Sequence, residues 1–419
     1  MKHKLFALLL TTLSLLLGGC QYSHEVTEMA YTVALGIDKG DEGLRVSIQF
    51  ARPLSIAGEG GGSGSSSGAA SGGGEGGENT AAKNKNTTML TIDAEDVYTA
   101  LSIAENSLSK QINLSHTKLL LFSAELAKEG LTDYVTLFMK DSQFSPNTYV
   151  AVSLCSADEY MRTVNPSLEV NPAKYYTLIF SKNNSDYMPA TSLRDLYFSI
   201  SALGREAVLP AANLSRGEDS RTVRMEAARG DYEAGALSKS SENETDVSGM
   251  AVLRDGQLSQ VLSSHDAMAY HMLTGKLKRI YLTMPSQTEE GKYITLRLTQ
   301  TKRPRREVDL AGDVPLLSAH VPLTAEIVEC PPQDIRELGL SGLNRLASEQ
   351  VAAQLASFLG LTATYCRADV TGFGNIAKMQ FPDYPSWESY NWPERYPAAD
   401  FSVTAEVNIS REGLVHEPK

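Results

Sequence analysis

Several short patterns in this 419-residue chain have the spacing of known chemical motifs, and each works only in a particular backbone setting. Gly64-Ser65-Ser66-Ser67-Gly68 has the form of a serine-hydrolase nucleophile elbow, which needs a sharp turn from a strand into a helix to expose its hydroxyl. This copy lies inside a Gly/Ser tract from Ala57 to Glu78, too poor in apolar residues to fold, so the match is one of composition. Gly372-Phe373-Gly374-Asn375-Ile376-Ala377 has dinucleotide-binding spacing, with Thr364 to Val370 as the candidate strand before it. Pro382 and Pro385 interrupt the helix that should follow, which removes the phosphate-binding end of the motif. His265 and His271 stand six residues apart, on different sides of any helix, and no Cys or acidic cluster completes a metal site around them. No catalytic nucleophile, acid-base pair or metal set emerges. The reading is of a protein that is not an enzyme and binds no cofactor.

One residue does carry chemistry. Lys2 and Lys4 precede an apolar run from Leu5 to Leu17 that ends in Leu17-Gly18-Gly19-Cys20, the order of a secretory signal. The run is shorter than the roughly 20 apolar residues a bilayer-spanning helix requires. Leu-Gly-Gly-Cys resembles a lipobox, in which diacylglycerol is added to the cysteine, the chain is cut before it and the new amino group is acylated. Residues 1–19 are therefore read as a lipoprotein signal and Cys20 as the lipid attachment site. Two or more acyl chains anchor a protein stably where one does not.

The formal net charge is −12, and removing Lys2 and Lys4 from the 38 basic residues leaves 36 against 50 acidic, or −14. An acidic body disfavours nucleic acid and flat adhesion to anionic lipid, so membrane affinity falls to the lipid. Of the four cysteines Cys20 is used, and Cys155, Cys330 and Cys366 remain; Cys330 and Cys366 are left open between free thiols and one bridge.

Hydrophobic periodicity places the elements. Tyr31 to Ile37 and Leu44 to Phe50, separated by Asp38-Lys39-Gly40-Asp41-Glu42-Gly43, read as a hairpin, with a third strand near Met89 to Ile92 beyond the insertion at 57–78. Helices are expected over Asp93 to Lys110, with Asp93 as cap, and over Glu125 to Lys140, and strands over Lys118 to Phe122 and Tyr149 to Leu154. Met161 to Tyr187 reads as irregular. Residues 214–246, rich in Ser, Gly, Glu and Arg, read as a linker between an N-terminal α+β region (20–213) and a C-terminal α+β domain (247–419). In the latter, Ile294 to Leu298, Val321 to Ile327 and Phe401 to Ile409 alternate as half-buried strands, and Leu343 to Leu359 has helical spacing. One helix covering an antiparallel sheet is expected, giving a multidomain α+β fold with mixed or antiparallel sheets. Lys302-Arg303-Pro304-Arg305-Arg306 reads as a solvated hairpin tip, and the aromatic run from Phe381 to Tyr396, with Trp387 and Trp392, as a loop packed over a sheet edge.

Taken together these segments resemble the Ger(x)C lipoproteins, the C subunits of spore germinant receptors. Glu25-Val26-Thr27-Glu28 and Gly36-Ile37-Asp38 fit the family's N-terminal pattern, while Gln21-Tyr22 replace its Trp-Asp. Met250 to Leu258, Asp369-Val370-Thr371-Gly372-Phe373-Gly374, and Trp387 and Trp392 before Arg411-Glu412-Gly413 follow its C-terminal domain in order. The resemblance implies a lipoprotein on the outer face of the spore's inner membrane, working with two integral membrane subunits in nutrient-triggered germination. A lipid-anchored solute-binding protein is the alternative reading. Glu25, Gly36, Ile37, Asp38, Asp369, Gly372, Phe373, Gly374, Trp387 and Trp392 are the candidate structural or partner-contacting residues. The turn at Asp369 is expected to be tied by the carboxylate to nearby amides.

Overall fold

The computed structural model describes residues 28–52, 87–166, 168–169, 171–181, 186–215 and 230–411. The signal segment, Cys20, Glu25, the Gly/Ser insertion and Glu412-Gly413 lie outside them. The fold is α+β, built on two mixed sheets.

The first sheet is nine-stranded. Its strands are β1 (Met29–Lys39), β2 (Leu44–Ala51), β3 (Thr87–Ala94), β4 (Gln111–Asn113), β5 (Leu119–Ser123), β6 (Tyr149–Ser153), β7 (Val208–Leu214), β8 (Thr245–Arg254) and β9 (Gln257–Leu262). Along the main path they run β3-β2-β1-β5-β6-β7-β8-β9, with β4 beside the start of β1. The centre is parallel and both flanks are antiparallel hairpins. Every residue of β5 is buried, as expected of a parallel strand covered on both faces.

Helices α1 (Val97–Ser107), α2 (Ala124–Glu129), α3 (Thr132–Lys140), α4 (Ala157–Thr163), α5 (Pro172–Phe180) and α6 (Leu193–Ile200) supply that cover. On one face Ile37, Ile48, Phe122 and Val152 share a core with Ala100, Phe138 and Leu196. On the other, Val33, Leu121 and Ala151 meet Tyr160 and Met161 of α4 and Tyr176 and Phe180 of α5.

Several boundaries differ from the sequence expectation for local reasons. Asp96, not Asp93, caps α1, accepting from the amides of Tyr98 and Thr99, while Asp93 lies in β3 and pairs with Arg45. The helix expected over 125–140 is cut by Gly130, whose φ of +132° suits a residue without a Cβ. Within 161–187, read as irregular, Asn171 caps α5 and Pro172 starts it, a cap-and-proline signal present in the sequence.

The segment 214–246 does not separate two sheets. β8 begins at Thr245, inside its last residues, and pairs antiparallel with β7, so the regions read as 20–213 and 247–419 share one sheet. Its described part is tied down: Asn213 Nδ2 donates to the Ala234 carbonyl at 3.0 Å, and Gly235 N donates to Asp246 Oδ2 at 2.9 Å.

After α7 (Ser264–Thr274) come β10 (Ile280–Pro285), β11 (Tyr293–Thr299), β12 (Arg305–Asp309), β13 (Leu316–Glu329), α8 (Pro332–Leu361), α9 (Phe373–Ala377), α10 (Tyr384–Tyr390), α11 (Trp392–Arg395) and β14 (Asp400–Arg411). The second, five-stranded sheet is not purely antiparallel, because β14 pairs parallel to β13. α8 buries Leu343, Ala347, Val351, Leu355 and Phe358 at fourfold and threefold spacing. Its polar side chains also protect the edge of β14: Val407 N donates to Ser348 Oγ at 2.9 Å and Ile409 N to Asn344 Oδ1 at 3.0 Å. Edge amides left bare would invite pairing with another chain. Cys155, Cys330 and Cys366 are free thiols, so Cys330 and Cys366 are not bridged.

Candidate functional site

The chain leaves α8 through a π-helical turn at Thr362–Cys366, which takes up the start of the strand expected over Thr364 to Val370. It then makes a tight corner around Asp369, a residue only 3% exposed. Asp369 Oδ1 accepts from Gly372 N at 2.8 Å and from the Thr371 hydroxyl at 3.1 Å. Its Oδ2 accepts from Gly374 N at 2.7 Å and from Trp392 Nε1 at 3.1 Å. Burial pushes the carboxyl's pKa up, and these donors pull it back toward the ionised form that satisfies them all.

The glycines are demanded by geometry. Gly372 sits at φ +81°, in the left-handed region, and a Cβ on Gly374 would lie 2.5 Å from Trp392 Nε1 and 2.7 Å from the Gly204 carbonyl. Phe373, between them, is fully buried, with the Arg306 guanidinium 5.7 Å from its ring centroid. Arg306 also donates to the Thr371 carbonyl, so this member of the basic run faces inward, contrary to the solvated tip expected of it. Trp387 and Trp392 are interior rings, stacked on one another and on Tyr390.

Two partners across the corner come from the region read as N-terminal, residues 20–213. Glu206 N donates to the Asp369 carbonyl at 2.8 Å, Arg205 Nε to the Val370 carbonyl at 3.2 Å, and Arg205 Nη2 to the Tyr270 hydroxyl at 2.6 Å. Sequence reasoning missed Gly204, Arg205 and Glu206, which lie over 160 positions from the corner, and Tyr270, which is 65 positions from Arg205, because no local pattern links residues so far apart. Burial, with Asp255 nearby, pushes Glu206 up to about 7. An acid raised in the folded state favours folding below its unfolded pKa, and that contribution is lost as pH rises through the folded value. Glu206→Gln should therefore stabilise the protein relative to wild type at about pH 8 and not at about pH 5, read as melting temperatures at both. Equal effects at the two pH values would refute this origin of the shift.

Gly36-Ile37-Asp38 forms a second constructed spot. A Cβ on Gly36 would meet Met161 Sδ at 2.7 Å, so the glycine lets α4 lie close on β1, while Ile37 is buried in the opposite core. Asp38 accepts from Ala157 N at 2.6 Å and Asp158 N at 3.0 Å, and Ser156 Oγ takes Glu159 N at 3.0 Å. A strand residue thus shares the capping of a helix distant in sequence. Asp38→Ala should cost about 1–2 kcal/mol, the range of a lost cap, measured by urea denaturation. No change would show that water replaces the carboxylate.

Among the described residues no group of three or more His, Cys, Asp or Glu is placed to hold a metal ion, and no helix is long and apolar enough to cross a membrane. What the fold and the corner define is a class of α+β protein whose two sequence halves are locked together by buried polar contacts. Residues 22–214 match the family described as "Spore germination protein N-terminal domain", and residues 248–413 match "Spore germination B3/ GerAC like, C-terminal". The chain belongs to the Ger(x)C family of spore germination proteins. It is similar to Spore germination protein KC of Bacillus subtilis (strain 168), at 22% identity over 99% of this chain and 97% of that protein. It is also similar to Spore germination protein GerQC of Bacillus cereus, at 19% identity over 75% of this chain and 79% of that one. A crystal structure of the GerBC protein shares the fold, with a TM-score of 0.50 and 14% identity over 90% of this chain and 97% of that structure.

Proposed function

We propose that this chain is the C subunit of a spore germinant receptor, lipid-anchored through Cys20 at the outer face of the spore inner membrane. In this role it acts beside two integral membrane subunits in nutrient-triggered germination. The observation that carries the reading is that both halves match spore germination families in the family's own order, with end-to-end similarity to Spore germination protein KC. The lipobox at Leu17-Gly18-Gly19-Cys20 supports the anchor, since a diacylated cysteine supplies the stable attachment that an acidic body would not. In this role the protein positions and couples its partners and performs no bond chemistry.

Cys20→Ser should shift the protein from the membrane to the soluble fraction in cells lacking the partner subunits, while its circular dichroism melt stays unchanged. Spores carrying the variant should germinate poorly in response to nutrient. Wild-type retention in the membrane fraction without partners would remove the lipid from the proposal. Normal nutrient germination in spores deleted for the whole gene, with no second receptor responding, would remove the receptor role.

A further inference from the structure

Beside the Asp369 corner, between α6 and α7, lies a cleft of about 250 Å³. Its chemistry is one-sided. Arg205 and Lys276 both line it, and both donate to the Tyr270 hydroxyl oxygen, at 2.6 Å and 3.4 Å. Among the described residues neither cation has a carboxylate partner, in a protein whose net charge is −12. Guanidinium offers five N–H donors and ammonium three, so most of this donor capacity is unspent.

Tyr270 adds to it. The ring is 2% exposed, its oxygen accepts from two cations, and among the described residues its own O–H proton has no acceptor. The Asn375 side-chain amide lines the same wall. The N–H and O–H donors that these bonds leave unused on Arg205, Lys276 and Tyr270 suit an anionic oxygen. The rest of the lining is different: Phe198, 62% exposed, and Ala202 give an apolar side, and Asp195 stands on the wall as a carboxylate. An apolar side suits a carbon body.

We infer that this cleft binds a small organic monocarboxylate, its carboxylate held by Arg205, Lys276 and the Tyr270 hydroxyl and its carbon body against Phe198 and Ala202. The site draws on both sequence halves, Arg205 from one and Tyr270 and Lys276 from the other, so an occupied cleft ties them more tightly. The inference stands on the cleft alone and does not depend on the receptor reading.

Calorimetric titration of the full chain in detergent with sodium butyrate and sodium benzoate tests it, with butylamine and inorganic phosphate as comparison probes at matched ionic strength. Saturable binding of the carboxylates is expected, with no binding of butylamine. Lys276→Gln removes an exposed charge without touching the core, and Tyr270→Phe removes only a hydroxyl. Each should weaken carboxylate binding by about tenfold, the scale of a charge-assisted hydrogen bond, with the melting temperature of Lys276→Gln unchanged. Should Tyr270→Phe fail to fold, Lys276→Gln still decides. Failure of both carboxylates to bind, undiminished binding by Lys276→Gln, or saturable binding of phosphate alone would each overturn the inference.

Discussion

Asp369→Ala is expected to be the most damaging single substitution in the C-terminal half, lowering stability by roughly 4 kcal/mol or more. The carboxylate accepts from two backbone amides and the Trp392 indole, all inside a buried corner. Removing it strands these donors, and each buried unsatisfied group costs about 1–3 kcal/mol. Because typical domains are stable by only about 5–15 kcal/mol, the loss is a large share of the whole. Asp369→Asn keeps one acceptor oxygen but turns an N–H group toward donors, so it should recover little. Urea denaturation followed by far-UV circular dichroism measures both. A loss below about 1 kcal/mol for the alanine variant would mean that water reaches the corner and that the turn holds without its carboxylate.

Phe373→Ala is the second. Its ring is fully buried and belongs to the large C-terminal core that also holds Trp387, Trp392 and Tyr396. Truncating such a phenylalanine leaves a cavity and typically costs about 3–5 kcal/mol. The Arg306 guanidinium over the ring would lose its face as well. The cost should be visible in the isolated protein, before any partner is present. Should the variant instead melt normally while spores carrying it fail to germinate, the ring acts at an interface and the buried position does not describe its working state. The two substitutions share one turn, so their double mutant should fall short of the sum.

How much of this was legible in the sequence depends on the range over which the signal acts. The alternation of Ile294, Leu296 and Leu298 announced β11, and the four-residue repeat from Leu343 announced α8, because both patterns are local consequences of side-chain direction. The Asp369 corner was legible for the same reason: a carboxylate three and five residues before two glycines is turn chemistry. Period two cannot tell a parallel from an antiparallel neighbour, so β14 was placed in the wrong kind of pairing. Nor does it name the neighbour, and the polar run before Thr245 concealed that β8 returns to β7. Thr364 to Val370 reads as a strand, yet packing against Tyr396, whose hydroxyl lies 2.8 Å from that of Thr362, holds Thr362–Cys366 helical.

The place of β1 in the sheet has a mechanical consequence. It begins at Met29, nine residues after Cys20, so under the proposed anchoring the tether reaches at most about 30 Å from the bilayer surface. Any pull from the membrane enters at this strand, which is hydrogen-bonded to β2 on one side and to β4 and β5 on the other. Tension along the strand axis strains those bonds together, in shear, where an edge strand would peel one bond at a time. A body tethered this way follows its membrane as a stiff unit, and the strain is carried through β5, β6 and β7 into the C-terminal half.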